Sequence, residues 1–197
     1  MSKSILISIR PEFVSKILNG EKTIEIRKTK PSCELPIKVY IYCTKNNGKW
    51  IGQYPFYKLY DKKLNDLNGK VVGEFTLNKI DFWQPYWTPD VLHICTMSEL
   101  SCVDVNELQD YSKGERIYAW HIDDLKIYDK PKELSEFSNY IPNNECPTKQ
   151  CGTNCEDCPN YDEEHNTCLS LYYAHRQIKR PPQSYMFVEE LEGINYV

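Results

Sequence analysis

Lys22, Glu25, Arg27 and Lys28 are the first residues in this chain whose types and spacing could do chemistry. Three cations around one carboxylate make a small site that could grip a phosphate and still accept a hydrogen bond from a base or ribose. Arg10 and Arg180 would extend it if the two ends of the chain meet, as they usually do in a closed barrel. Gln183 and Ser184 follow the rigid Pro181-Pro182 pair and bring an amide and a hydroxyl that could read a base edge or cap the last strand. The plainer reading of Glu25 and Arg27, two apart on one strand face, is a surface ion pair that braces the mouth of the domain.

A second group is the run Cys146-x4-Cys151-x3-Cys155-x2-Cys158-x9-Cys168, with His165 nearby. Thiolates this close in sequence can close a tetrahedral zinc site, and Cys155-Glu156-Asp157-Cys158 is the two-cysteine knuckle from which such sites are built. The preferred ligands are Cys151, Cys155, Cys158 and Cys168, with Cys146 or His165 as substitutes. Four cysteines leave no open position, so the zinc would be structural and would replace a core for this segment. Free thiols or a pair of disulfides are the other reading of the same spacing.

These groups need a scaffold, and the chain is long enough for one core carrying an insertion. A hydrophobic fraction of 41% and a charged fraction of 26% fit a folded chain. The absence of a long apolar run or an apolar N-terminal stretch places the expected protein in the cytoplasm, with no membrane partner. A net charge of −4 argues against a surface coated for non-specific DNA binding. Residues 1–30 carry seven Lys/Arg against three acids and residues 169–188 three against none, while 97–168 carry six against sixteen. Basic charge therefore sits at the two ends and acidic charge in the middle.

Residues 4–10 are β-branched and apolar and suit a buried strand. Pro11 starts a helix over 11–19, Phe13, Val14, Ile17 and Leu18 recur at helical spacing, and Gly20 stops it. The alternation in 23–27 puts Ile24 and Ile26 toward the core and Thr23, Glu25 and Arg27 on the opposite face. Further strands are expected at 37–43, 71–77, 79–83, 117–122 and 185–190, with a short helix near 104–111. Asn46-Asn47-Gly48 and Asn68-Gly69 read as turns. Of Trp120 and His121, alternation buries at least one; Glu74, opposite Phe75, faces either the cleft or solvent. From 138 to 170 the composition turns to Pro, Asn, Asp, Glu and Cys, an inserted loop-rich lobe with little apolar surface of its own.

The stretch Ser8-Ile9-Arg10-Pro11, followed by Gly20-Glu21-Lys22-Thr23-Ile24-Glu25-Ile26-Arg27-Lys28, resembles the N-terminus of ASCH-domain proteins. These are relatives of the PUA fold, in which a helix ends in Gly-x-Lys-x-x-Glu-x-Arg. Gly20, Lys22, Glu25 and Arg27 stand at those positions. Val71-Val72-Gly73-Glu74-Phe75 resembles the family's central strand, Tyr118-Ala119-Trp120-His121-Ile122 its late strand, and Arg180 to Tyr185 the closing segment of phage-associated bacterial members. The resemblance spans about 4–135 and 178–191 and leaves the cysteine lobe outside the minimal domain.

The resemblance implies an α+β chain, a PUA-like β-barrel with one or two flanking helices over 1–137 and 171–197; the cysteine lobe that the composition marks over 138–170 is inserted into it and is expected to be held by zinc. Its leading implication is binding of RNA or a nucleotide in the basic cleft. The family it resembles also holds amidohydrolases that remove an acyl group from N4-acetylcytidine, using a lysine, a threonine three residues later and a separate glutamate. Lys22 matches the lysine, but Glu25 occupies the threonine position, and Thr23 projects from the other side of the strand. Catalysis by Lys22 and Glu25 would therefore need Glu25 as a general base on water and Lys22 polarising a carbonyl. A protein partner on the acidic lobe is the third reading.

Overall fold

The computed structural model describes residues 3–45, 67–85, 91–140, 161–162, 167–168 and 177–196. In chain order its elements are β1 (Lys3–Ile9), α1 (Pro11–Leu18), β2 (Ile24–Arg27), β3 (Ile37–Cys43), β4 (Lys70–Leu77), β5 (Ile80–Trp83), α2 (Val91–Ser101), α3 (Val105–Ser112), β6 (Ile117–His121), β7 (Asp123–Glu133), β8 (Tyr161–Asp162), β9 (Thr167–Cys168) and β10 (Tyr185–Glu189). The expected α+β class is borne out.

The strands form a five-stranded sheet in the order β10-β1-β3-β4-β7, a three-stranded sheet in the order β2-β6-β5, and a β8-β9 pair. β1 runs parallel to β3 and antiparallel to β10, so the two ends of the chain lie side by side. The chain passes from the large sheet to the small one through Asn78-Lys79, and back through Ile122. Strands that change sheet over so few residues are how a barrel or orthogonal sandwich turns its corners.

Period-two alternation sorts the strands into layers. Ile5, Ile7, Ile9, Val39, Ile41 and Cys43 point inward, where they meet Trp120 of β6, and α1 adds Val14, Ile17 and Leu18 to the same core. Leu6, Tyr40, Tyr42 and Val188 point to the other side of the large sheet, under Phe137 and Ile178. Ile24, Ile26, Ile117 and Ala119 form the outer face of the small sheet, which α2 and α3 cover through Ile94, Met97 and Leu108. β2 of the small sheet is thus buried on both faces. In the register of β2 and β6, Glu25 lies opposite Trp120 and Arg27 opposite Tyr118, so both charged side chains are directed to the inside. All four residues of β2 are buried, and the face expected to be a polar surface is an interior one.

β7, α2 and the short β8-β9 pair were not expected. β7 reads Asp-Asp-Leu-Lys-Ile-Tyr-Asp-Lys-Pro-Lys-Glu, a charged edge strand that carries Pro131 where a central strand could not. It approaches β4 so closely that a Cβ on Gly73 would stand 2.5 Å from the Lys126 carbonyl oxygen. α2 begins with a β-branched, apolar run that has no helical period at its start. The chain before residue 141 and after residue 176 comes together: Ser138 bridges Gln177, and the Ile178 N–H donates to the Phe137 carbonyl at 3.2 Å. The chain therefore leaves the large sheet and returns to it at one place. Among the described residues, no helix is long and apolar enough to cross a membrane.

Candidate functional site

Lys22 reaches its place because the turn after α1 passes through Gly20, whose φ of +74° a side chain would strain. The Lys22 N–H then donates to the Lys16 carbonyl at 3.1 Å, and the chain enters β2 with the Lys22 side chain turned inward. Its ammonium lies 3.1 Å from Glu25 Oε2, donates to the Ser101 carbonyl at 2.9 Å at the end of α2, and sits 5.0 Å from the centroid of the Phe13 ring. Only 2% of Lys22 is exposed. Burial lowers its pKa, and the Glu25 carboxylate acts in the opposite direction.

Arg27 continues the chain of charges. Its Nη2 lies 3.1 Å from Glu25 Oε1 and donates to the Ser8 carbonyl at 2.7 Å, while Nη1 donates to the Ser184 carbonyl at 3.3 Å. The Ser8 hydroxyl donates to the Pro182 carbonyl at 2.7 Å, which fastens the 181–184 segment against β1. Lys22, Glu25 and Arg27 therefore form one buried line, cation, anion, cation, tied to carbonyls from three distant parts of the chain. The reading of Glu25 and Arg27 as a surface ion pair is corrected by this burial. The pair lies inside because β2 is covered on both faces.

This line forms one wall of a cavity of about 580 Å³. Phe13, Ile26, Val103 and Leu108 give it apolar surface, and Pro181 and Pro182 close it from the side of the last strand. The expected residues divide here. Arg10, Lys22, Glu25, Arg27 and Gln183 line the cavity. Ser184 contributes its carbonyl to Arg27 rather than a hydroxyl to the cleft. Arg10 stands at the rim with its side chain 67% exposed and paired to Glu12 at 3.1 Å. Lys28 and Arg180 are exposed and do not line the cavity. Lys28 follows Arg27 at the end of β2, and its ammonium lies over the Tyr111 ring at 5.1 Å. The structure thus does not gather Lys22, Arg27 and Lys28 around one point.

Tyr111, Phe13 and Glu107 also line the cavity and were not singled out from the sequence. Phe13 had only the helical spacing of a core residue, and Tyr111 and Glu107 carried no signal at all. Thr23 is exposed, on the other side of the chain from Lys22. Glu74 faces neither the cleft nor solvent. It is buried on the far side of the large sheet, accepting from Tyr128 at 2.8 Å and Tyr196 at 3.0 Å. Trp120 is fully buried, while His121 is half-buried and meets Asp81 at 2.8 Å.

Cys146, Cys151, Cys155, Cys158 and His165 lie outside the described residues, and of Cys168 only its pairing with Tyr161 in the β8-β9 ladder is described. Among the described residues no group of His, Cys, Asp or Glu is placed to hold a metal ion. Cys43 is buried in the main core, where desolvation pushes its thiol up to about 12 and makes it an inert hydrophobic residue.

No family model matches the chain, and no curated protein does. Among solved structures it is similar to ASCH from Zymomonas mobilis, at 21% sequence identity over 66% of this chain and 73% of that one, with a TM-score of 0.45. A mutant of the same protein matches at 21% identity over 68% and 77% of the two chains with a TM-score of 0.44, and a second mutant at 20% over 66% and 74% with a TM-score of 0.44.

Proposed function

We propose that this chain is an ASCH-type, PUA-like binding module that takes a single base of RNA, or a nucleotide, into the cavity beside Lys22, Glu25 and Arg27. The observation that carries the reading is the wall itself: a buried cation–carboxylate–cation line facing apolar and aromatic surface. A cavity of about 580 Å³ falls within the ~300–1,000 Å³ of sites that enclose a small molecule, with few polar groups fixing its orientation. A flat ring with polar edges is the shape and chemistry that such a wall matches. The base would lie inside and its phosphate near the rim, where Arg10 is the exposed cation.

This differs in one respect from a site that grips phosphate with Lys22, Arg27 and Lys28. The charges of Lys22 and Arg27 are already paired with Glu25, so phosphate contributes little and the salt dependence should be shallow. Titration of short single-stranded RNA and of mononucleotides at two salt concentrations, for wild type, Arg10→Ala and Gln183→Ala, tests the reading. Binding that weakens only slightly with salt and falls in Gln183→Ala supports it. A wild-type protein that binds neither RNA nor nucleotide at low salt refutes it and leaves the acidic segment and a protein partner.

A second reading rests on Lys22. An amine whose pKa is lowered by burial beside a carboxylate suits proton transfer, with Glu25 activating water and Lys22 polarising a carbonyl. In that case N4-acylated cytidine or a similar acylated nucleoside is turned over, and Lys22→Ala ends the turnover. No turnover across a panel of acylated nucleosides removes it.

A further inference from the structure

The polar wall of the cavity has more donors than acceptors. An ammonium carries three protons, and two of those of Lys22 are spent, on Glu25 and on Ser101. Arg27 Nη2 donates to Ser8 and pairs with Glu25 at 3.1 Å, and Nη1 donates to Ser184. Its Nε–H is buried and has no partner among the described residues. Buried donors are nearly always matched, and this unmatched one belongs to a residue that lines the cavity.

Tyr111 supplies another donor. α3 is fixed by Asp104, whose side chain caps it through the Asn106 N–H at 2.8 Å, and by the burial of Leu108 and Ser112. Tyr111 is thereby held at the cavity rim with 41% of its surface exposed, enough to leave the ring available to a ligand. Arg27, Glu25 and Arg10 lie within electrostatic reach of its hydroxyl, and the Lys28 ammonium lies over its ring at 5.1 Å. A phenol hydroxyl carries one proton to donate. Burial raises the pKa of this phenol, so the proton stays in place at neutral pH. On the wall of Lys22 and Arg27 the acceptor is Glu25, whose two oxygens each face one cation and keep capacity for a further donor, and Glu107 of α3 is a second carboxylate lining the cavity.

Building on the base-binding reading above, we infer that the cavity selects a heterocycle bearing a ring lactam, a carbonyl beside an N–H, with Tyr111 as the residue that determines this specificity. The carbonyl oxygen accepts from the Tyr111 hydroxyl and the Arg27 side chain, and the neighbouring N–H donates to Glu25. Uracil, guanine and hypoxanthine carry that edge. Adenine does not: it presents an amino group and a bare ring nitrogen, which sets donor against donor and leaves the Glu25 carboxylate without its N–H.

Inosine monophosphate and adenosine monophosphate form the matched pair for the test, because they share ribose, phosphate and ring size and differ only at this edge. The intact chain and Tyr111→Phe are titrated with both. Wild type is expected to bind the inosine nucleotide about tenfold tighter, the scale of one or two hydrogen bonds with a partner left unmatched in the wrong ligand. Tyr111→Phe keeps the ring and the fold, and the ratio should drop severalfold. Equal affinity for the two nucleotides in wild type overturns the lactam inference while leaving base binding intact. A preference that survives unchanged in Tyr111→Phe overturns the role of Tyr111. If neither nucleotide nor single-stranded RNA binds, both this inference and the reading beneath it fall.

Discussion

Replacing Glu25 by Gln keeps the shape of the buried line and removes the charge that holds it together. Glu25 is 7% exposed and lies 3.1 Å from Lys22 Nζ on one oxygen and 3.1 Å from Arg27 Nη2 on the other. Breaking a buried pair from one side costs about 3–5 kcal/mol, because the remaining charge stays in place uncompensated. Two features put this site at the lower end. Arg27 keeps the Ser8 and Ser184 carbonyls, and Lys22, whose pKa burial already lowers, can shed its proton once the carboxylate is gone. The expected cost at neutral pH is therefore about 3 kcal/mol, or roughly 6–12 °C in melting temperature for a chain of this size. The pH dependence has a definite sign. The folded pKa of Lys22 lies below its ordinary value of 10.5, so between the two the unfolded chain binds more protons and stability rises with pH. In Glu25→Gln the folded pKa falls further and this window opens at lower pH, so the deficit against wild type narrows as the solution becomes alkaline. Urea denaturation of both proteins at neutral and at alkaline pH measures it. A loss below ~1 kcal/mol, the scale of an exposed ion pair, or a deficit that does not change with pH, would refute the reasoning.

Gly73→Ala would set a Cβ 2.5 Å from the Lys126 carbonyl oxygen, and parting β4 from β7 should cost about 1–3 kcal/mol in the same denaturation experiment. Tyr128→Phe removes the hydroxyl that donates to Glu74 at 2.8 Å and leaves a 2%-exposed carboxylate one donor short, a loss of about 1.5–3 kcal/mol. The cysteine spacing predicts about one zinc per chain in protein prepared without chelator, measured by elemental analysis. Cys158→Ser should lose that zinc while keeping the far-ultraviolet circular dichroism of the strands, and metal-free wild-type protein would remove the idea.

Strands whose side chains face a core wrote themselves into the sequence, because Ile5, Ile7 and Ile9 or Val39, Ile41 and Cys43 must be apolar at every second position to meet it. β7 did not, since an edge strand is held by its backbone ladder and its side chains are free to be Asp, Lys and Pro. α2 hid for the opposite reason: its opening residues are as apolar and β-branched as a strand's. At the site, spacing alone named Lys22, Glu25 and Arg27 as one group. Their depth could not be read, because it depends on carbonyls of Ser8, Ser101 and Ser184, which lie 19, 79 and 157 residues from the cations they receive. Lys28 shows the same limit: charge type grouped it with Arg27, and the end of the strand turned it outward.

The burial of this line of charges also bears on why it is there. Taking three ionised groups out of water carries a desolvation cost that their mutual attraction barely offsets, and well-packed apolar side chains of similar size would hold such a wall at least as firmly. The surrounding core has them in abundance: Ile24 and Ile26 alternate with Glu25 and Arg27 on the same four-residue strand and pack against Trp83, Ile94 and Met97. Stability alone therefore gives no reason for ions on the inner face. What ions offer over apolar groups is direction: donors and a carboxylate held in fixed positions, with their cost already met by folding, so that a polar ligand need not reorganise them on arrival. Three backbone carbonyls and two ion pairs fix Lys22 and Arg27, and Ser8 fastens the 181–184 segment beside them. That preorganisation, set against one wall of a cavity and opposite apolar surface, is the physical argument for a binding site at this end of the fold rather than a brace.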